Sequence, residues 1–116
     1  MKNFLAAAML LGTTAIPAFA EDMNVGVVLV AFDNQFQSLI KTAIEEAGAG
    51  VEGLSLQFED GMGDVAKQND QVSNLIASGV DAIIVSPIDA QGTAPMTAAA
   101  TAAPFQVKIS VNSKVS

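Results

Sequence analysis

Histidine and cysteine are both absent from the chain, which excludes imidazole acid–base catalysis, thiolate nucleophiles, disulfides and the commonest zinc ligands. Any chemistry therefore falls to carboxylates, amides, hydroxyls and the backbone. The densest group of such residues is Asp33, Asn34, Phe36 and Gln37, a carboxylate, two amides and an aromatic ring that follow an apolar run. Asp60, Asp64, Ser86, Asp89 and Asn112 stand further along the chain. Ser86 lacks the G-x-S-x-G elbow and has no histidine to deprotonate it, so a hydrolase triad is not expected and the chain reads as a non-enzyme. Gly61 and Gly63 lack the third glycine of a dinucleotide fingerprint, and the acids do not follow the D-x-D-x-D-G spacing of a calcium loop, so neither a cofactor nor a metal is expected. Twelve Asp and Glu against five Lys and Arg leave a formal charge of −7; a nucleic acid would be repelled, and no nucleic-acid partner is expected.

The elements that must position these groups are marked by periodicity. Val25 to Val30 is a continuous β-branched run, the pattern of a strand buried on both faces of a parallel sheet. Phe36, Leu39, Ile40, Ala43, Ile44 and Ala47 then recur at helical spacing. Asn34 is placed to cap that helix, Gln37 to reach back in a capping box, and Gly48 and Gly50 to stop it. On this spacing Phe36 belongs to the core. The alternation Leu54, Leu56, Phe58 predicts a second strand near a sheet edge, ending at Asp60. Asp64 caps a helix over Val65 to Ser78 with Val65, Val72, Leu75 and Ile76 inward and Gly79 as its stop. Ala82 to Val85 predicts another buried strand, Pro95 to Ala103 an alanine-rich helix, and Val107 to Val111 a weak final strand. The order β-α-β-α-β-α-β predicts an α/β fold, a parallel sheet with helices on both faces.

The N-terminus carries Lys2, an apolar stretch from Phe4 to Leu11, and Ala18-Phe19-Ala20 ahead of Glu21 and Asp22. Charge, short apolar core and small residues in that order predict an export signal over residues 1–20, cleaved after Ala20, with the product in the periplasm. A membrane anchor would need roughly 20 continuous apolar residues, and Thr13, Thr14 and Pro17 interrupt this stretch. Residues 21–116 leave room for at most one small domain.

Two stretches together resemble a known family. Val25 to Val30 followed by Asp33-Asn34-x-Phe36 is similar to the first strand and ligand-facing loop of the type 1 periplasmic binding proteins, which serve ribose, galactose, inositol-like polyols and related solutes and feed ABC importers. Asp64-Val65-Ala66-Lys67-Gln68, Gln71-Val72, and Leu75-Ile76-Ala77-Ser78-Gly79-Val80-Asp81-Ala82-Ile83-Ile84-Val85-Ser86-Pro87-Ile88-Asp89 resemble the family's "Q…Q…dLIaqGVDAIIi.PvD" segment. The resemblance runs from about Val25 to Ala103 and resumes faintly at Val107 to Ser113. It departs where the family enters its fourth strand through Gly-Ile-Pro and leaves it at Asp-Arg or Asn-Arg; here Ala103-Pro104-Phe105-Gln106 leads in and Asn112-Ser113 leads out.

The resemblance implies a flavodoxin-like partial N-terminal lobe over residues 21–116, with 104–116 a diverged or truncated end. It implies a solute-binding component of a sugar or polyol importer, whose partners would be a monosaccharide or polyol such as ribose, galactose or inositol and a membrane ABC permease. A sugar's hydroxyls both donate and accept while its C–H face suits an aromatic ring. The resemblance accordingly makes Asp33, Asn34, Phe36, Gln37 and Asn112 the ligand-binding candidates, Phe36 packing on the ring. Helix capping for Asn34 and Gln37, and a core position for Phe36, stay open beside it. So does an alternative function, a truncated product without activity or an exported lobe that meets a signalling receptor.

The first expected outcome concerns export. N-terminal sequencing of the periplasmic protein is expected to begin at Glu21; a product that retains Met1, or that stays with membranes through a carbonate wash, would contradict it.

Overall fold

A computed structural model of the chain describes residues 21–103. The expected leader and the expected strand at Val107 to Val111 lie outside those residues. Three strands and three helices alternate: β1 (Met23–Leu29), α1 (Gln35–Ala49), β2 (Leu54–Asp60), α2 (Val65–Ser78), β3 (Ala82–Val85) and α3 (Thr93–Ala102). The strands form one parallel sheet in the order β2-β1-β3. The α/β architecture and the element order through the third helix are those expected.

β1 is central because its β-branched run can be buried on both sides at once. Val25, Val27 and Leu29 point to one face and pack with Ile40 and Ile44 of α1 and Leu54, Leu56 and Phe58 of β2. Val28 points to the other and packs with Val72 and Leu75 of α2, Ile83 and Val85 of β3, and Met96 of α3. Side chains alternate across a strand, so α1 covers one face while α2 and α3 cover the other. Each fully buried Val or Leu contributes about 1.5–3 kcal/mol relative to exposure, which makes this strand the centre of stability. At its start the Asn24 amide donates to Asp81 Oδ2 and the Asp81 amide to the Asn24 carbonyl, both at 2.8 Å. That reciprocal pair holds β3 in register.

Three details differ from the periodicity. Gly48 lies inside α1, which ends at Gly50; a Cβ at Gly48 would stand 2.7 Å from Leu56 Cδ1, so the residue serves close helix–strand approach and does not stop the helix. β3 is not buried on both faces, since Ile84 is 36 % exposed. α1 lies over β1 and β2, which leaves an apolar groove of about 320 Å³ lined by Ile44, Gly48, Leu54, Leu56 and Ile84. The third helix begins at Thr93, two residues ahead of Pro95, which falls within its first turn. By contrast α2 has the expected bounds, with the Asp64 side chain accepting from the Lys67 amide and Gly79, at φ 79°, ending it.

Gly61 follows β2, where its backbone lies close against that of the β1 end. A Cβ there would stand 2.5 Å from the Leu29 carbonyl oxygen and 2.9 Å from that of Val30, and backbone atoms cannot rotate away. Gly61→Ala is expected to destabilise by about 1–3 kcal/mol, as overpacking does. Gly50→Ala, with φ −86° and open space around its Cα, is expected to stabilise by under about 1 kcal/mol. Urea unfolding of the two variants beside the parent checks the contrast.

Candidate functional site

A parallel sheet delivers the carboxyl ends of all its strands to one edge, where loops turn into helices and free N–H groups face outward. Here that edge carries the segments after Leu29, Asp60 and Val85. In the first, Asp33, Asn34 and Phe36 are all exposed, Phe36 by 63 %. The core position that periodicity suggests for Phe36 is therefore not what the fold adopts; Leu39 is likewise 64 % exposed.

The reason lies one residue away. β1 ends at Leu29, and the Val30 amide needs an acceptor that no strand supplies there. Gln37 Oε1 accepts from it at 3.4 Å, and Gln37 is buried, at 7 % exposed. With Gln37 inward, Ile40 and Ile44 follow at i+3 and i+7 as the packed face. Phe36 is rotated out. The Asn34 side chain caps the helix, Oδ1 accepting from the Phe36 amide at 3.0 Å and the Gln37 amide at 3.3 Å. The reciprocal half of the expected capping box is not formed, because the Asn34 amide donates to the Ala31 carbonyl and Gln37 Oε1 is turned onto Val30. Asn112 lies outside the described residues.

Residues outside the ligand-binding candidates hold the three segments together. Asp60 Oδ1 accepts from the Phe32 amide at 3.2 Å and the Met62 amide at 2.9 Å, tying the first segment to the second. Gln71 Nε2 donates to the Asp60 carbonyl at 2.7 Å. Gln68, wholly buried at 0 %, donates from Nε2 to the carbonyls of Leu29 (3.2 Å) and Ser86 (2.9 Å) and accepts at Oε1 from the Ile88 amide (3.1 Å). A signal for it was present: an uncharged polar residue stands in phase with Val65, Val72 and Leu75, on the inward face of α2. Lys41 closes the flank, its Nζ 5.6 Å from the Phe32 ring centroid and 4.9 Å from that of Phe58, with Glu45 as its ion-pair partner.

The resulting surface offers a carboxylate, an amide and an aromatic ring to solvent above a hydrogen-bonded base. It has the means to hold a neutral polyhydroxy ligand by hydrogen bonds and ring packing. Among the described residues no group of three or more His, Cys, Asp or Glu gathers where a metal ion could be held.

Known proteins are similar to this chain over most of its length. The sequence profile of the periplasmic binding protein domain family matches residues 25–112. A Rhizobium meliloti protein named for rhizopine binding is 42 % identical over 100 residues, 84 % of this chain and 31 % of its own length. The D-galactose/methyl-galactoside binding periplasmic protein of Haemophilus influenzae is 34 % identical over 85 residues, 73 % of this chain and 25 % of its own. The crystal structure of an ABC transporter solute binding protein from Bacillus halodurans with bound myo-inositol superposes with a TM-score of 0.72 at 26 % identity, over 79 % of this chain and 32 % of that one. The chain thus spans between a quarter and a third of the length of these relatives.

The Asp60 tie is open to measurement. Asp60→Ala removes the acceptor for two amides and is expected to lose about 1.5 kcal/mol, as for a hydrogen bond to a charged group; Asp60→Asn keeps Oδ1 and is expected to lose less. Urea midpoints give the stability, and faster hydrogen exchange at the Phe32 amide should accompany the alanine change alone.

Proposed function

This chain belongs to the periplasmic binding protein domain family, and from that premise we propose that it serves as the solute-binding component of an ABC-type importer for a monosaccharide or polyol. The observation that carries the reading is the outward rotation of Phe36 beside Asp33 and Asn34. An aromatic ring left in water at the carboxyl edge of a sheet is expensive unless a ligand covers it, and a sugar's C–H face is such a cover. Asn34 Oδ1 is engaged in the cap, so its side-chain Nδ2 is the donor toward a ligand hydroxyl, and Asp33 is the acceptor. Gln37 takes part from beneath, and Asn112 is the remaining candidate ligand group.

In this reading residues 21–103 supply one wall of a cleft. The protein is exported with cleavage after Ala20, takes up its solute in the periplasm, and a second lobe closes over the ligand about a hinge; the closed form is what the permease distinguishes from the open one. The relatives' greater length is consistent with a second wall. Binding rather than catalysis is also the activity for which the relatives are named.

Calorimetric titration with myo-inositol, D-galactose and D-ribose tests the proposal. Residues 21–116 alone are expected to bind weaker than millimolar, because on an open wall each hydrogen bond to the ligand replaces one to water. A chimera in which residues 25–103 replace the matching segment of the Rhizobium meliloti relative is expected to bind one of these solutes at about micromolar affinity, about −8 kcal/mol. Phe36→Ala or Asn34→Ala in that chimera should weaken binding by roughly tenfold or more, about 1.4 kcal/mol. A chimera that folds and binds none of the panel, or that is indifferent to both substitutions, would overturn the assignment.

A further inference from the structure

We propose that Gln68 is a positioning residue of the binding site, fixing the segment after β3 against the end of β1 so that the two segments present one surface to the ligand. The inference rests on the sugar-binding reading above and adds to it a residue that touches no ligand. Gln68 uses its whole amide group. Nε2 donates to the Leu29 carbonyl at the end of β1 and to the Ser86 carbonyl just past β3, and Oε1 accepts from the Ile88 amide. One side chain rooted in α2 thereby sets where the segment Ser86-Pro87-Ile88-Asp89 stands relative to the segment that carries Asp33, Asn34 and Phe36.

No apolar side chain can replace it without depriving the Ser86 carbonyl and the Ile88 amide of their Gln68 partner, whereas the Leu29 carbonyl keeps the Gly61 amide; a buried group left unpaired forfeits its full desolvation energy. The packing is fitted to it as well: a Cβ on Gly61 would stand 2.9 Å from Gln68 Cγ, so the chain leaving β2 runs directly over the glutamine stem. Asp89 continues the same order, its Oδ1 accepting from the Gln91 amide at 3.1 Å as the segment turns toward α3.

The test separates positioning from mere stability. Gln68→Met keeps length and burial but cannot make the three hydrogen bonds; Val72→Ala, on the same inward face of α2, removes apolar volume from the core and no hydrogen bond. Amide hydrogen exchange is followed in residues 21–116, and chemical-shift titration with myo-inositol, D-galactose and D-ribose in the chimera with the Rhizobium meliloti relative, each carrying the same substitutions. Expected are strong protection of the Ile88 amide in the parent and in Val72→Ala. In Gln68→Met that protection should fall by roughly tenfold or more, and any solute affinity by a similar factor, as loss of about one good hydrogen bond implies. In Gln68→Glu the wholly buried carboxyl faces two carbonyl oxygens, which favours its neutral form. That form keeps an acceptor for Ile88 and one hydroxyl donor for the carbonyls. Read at mildly acidic pH, the variant should keep Ile88 protection and recover part of the affinity, and it carries the test if the methionine variant does not fold.

Unchanged Ile88 protection in Gln68→Met, or equal affinity losses in Gln68→Met and Val72→Ala, would overturn the positioning role. Protected Ile88 in the parent together with no shifts in the folded chimera for any of the three solutes would instead remove the sugar-binding reading and, with it, the ligand role given to Gln68. The preserved Ile88 protection tells that failure from the first.

Discussion

Everything at the carboxyl edge depends on how β1 leaves the sheet. A strand paired on both sides and covered on both faces has all its backbone groups satisfied until it stops. At Leu29 and Val30 the ladder ends while the surroundings are still buried or half-buried. The Leu29 carbonyl accepts from the Gly61 amide and from Gln68; the Val30 carbonyl accepts from the Gly63 amide and the Val30 amide donates to Gln37. Two glutamines and a glycine turn thus complete a central strand. The loops that carry the candidate ligand groups inherit their positions from that completion.

This constraint also explains why α1 is so lightly packed. Its first inward position is taken by a polar side chain, and the remaining grip comes from Ile40, Ile44 and the close approach at Gly48. Lys41 adds a cover for Phe32 and Phe58, a contact of about 0.5–1 kcal/mol at a site of this exposure. Phe36 and Leu39 are left outside. An apolar stripe usually seeks the core, and here the stripe is split between core and surface because the strand end claims one position in it.

The wall that results is rigid where it must be and bare where a ligand would lie. Asp60, Gln68 and Gln71 are engaged with backbone atoms of neighbouring segments. Asp33 and the Phe36 ring are exposed. Preorganisation of this kind lowers the entropy lost on binding, since the groups that meet the ligand stand on loops already held in place. Under the proposed function, a single wall would leave a polyol mostly in water, so affinity would come from enclosure.

By itself the sequence determined the alternation of strands and helices, the limits of α2 between Asp64 and Gly79, the cap at Asn34 and the edge character of β2. Each is a local property: a cap needs one side-chain oxygen, a helix or strand needs a period, and both are written within a few residues. It also placed the candidate groups at a strand end, through motifs that run along the chain. Only the tertiary structure decided that Gln37 faces in and Phe36 out, that Gly48 admits a strand rather than ending a helix, that Ile84 lies partly bare, and that Gln68 joins three segments. These depend on groups far apart in sequence, because the unpaired backbone at the end of β1 is met by side chains from α1 and α2, and no local pattern records which residue will reach it.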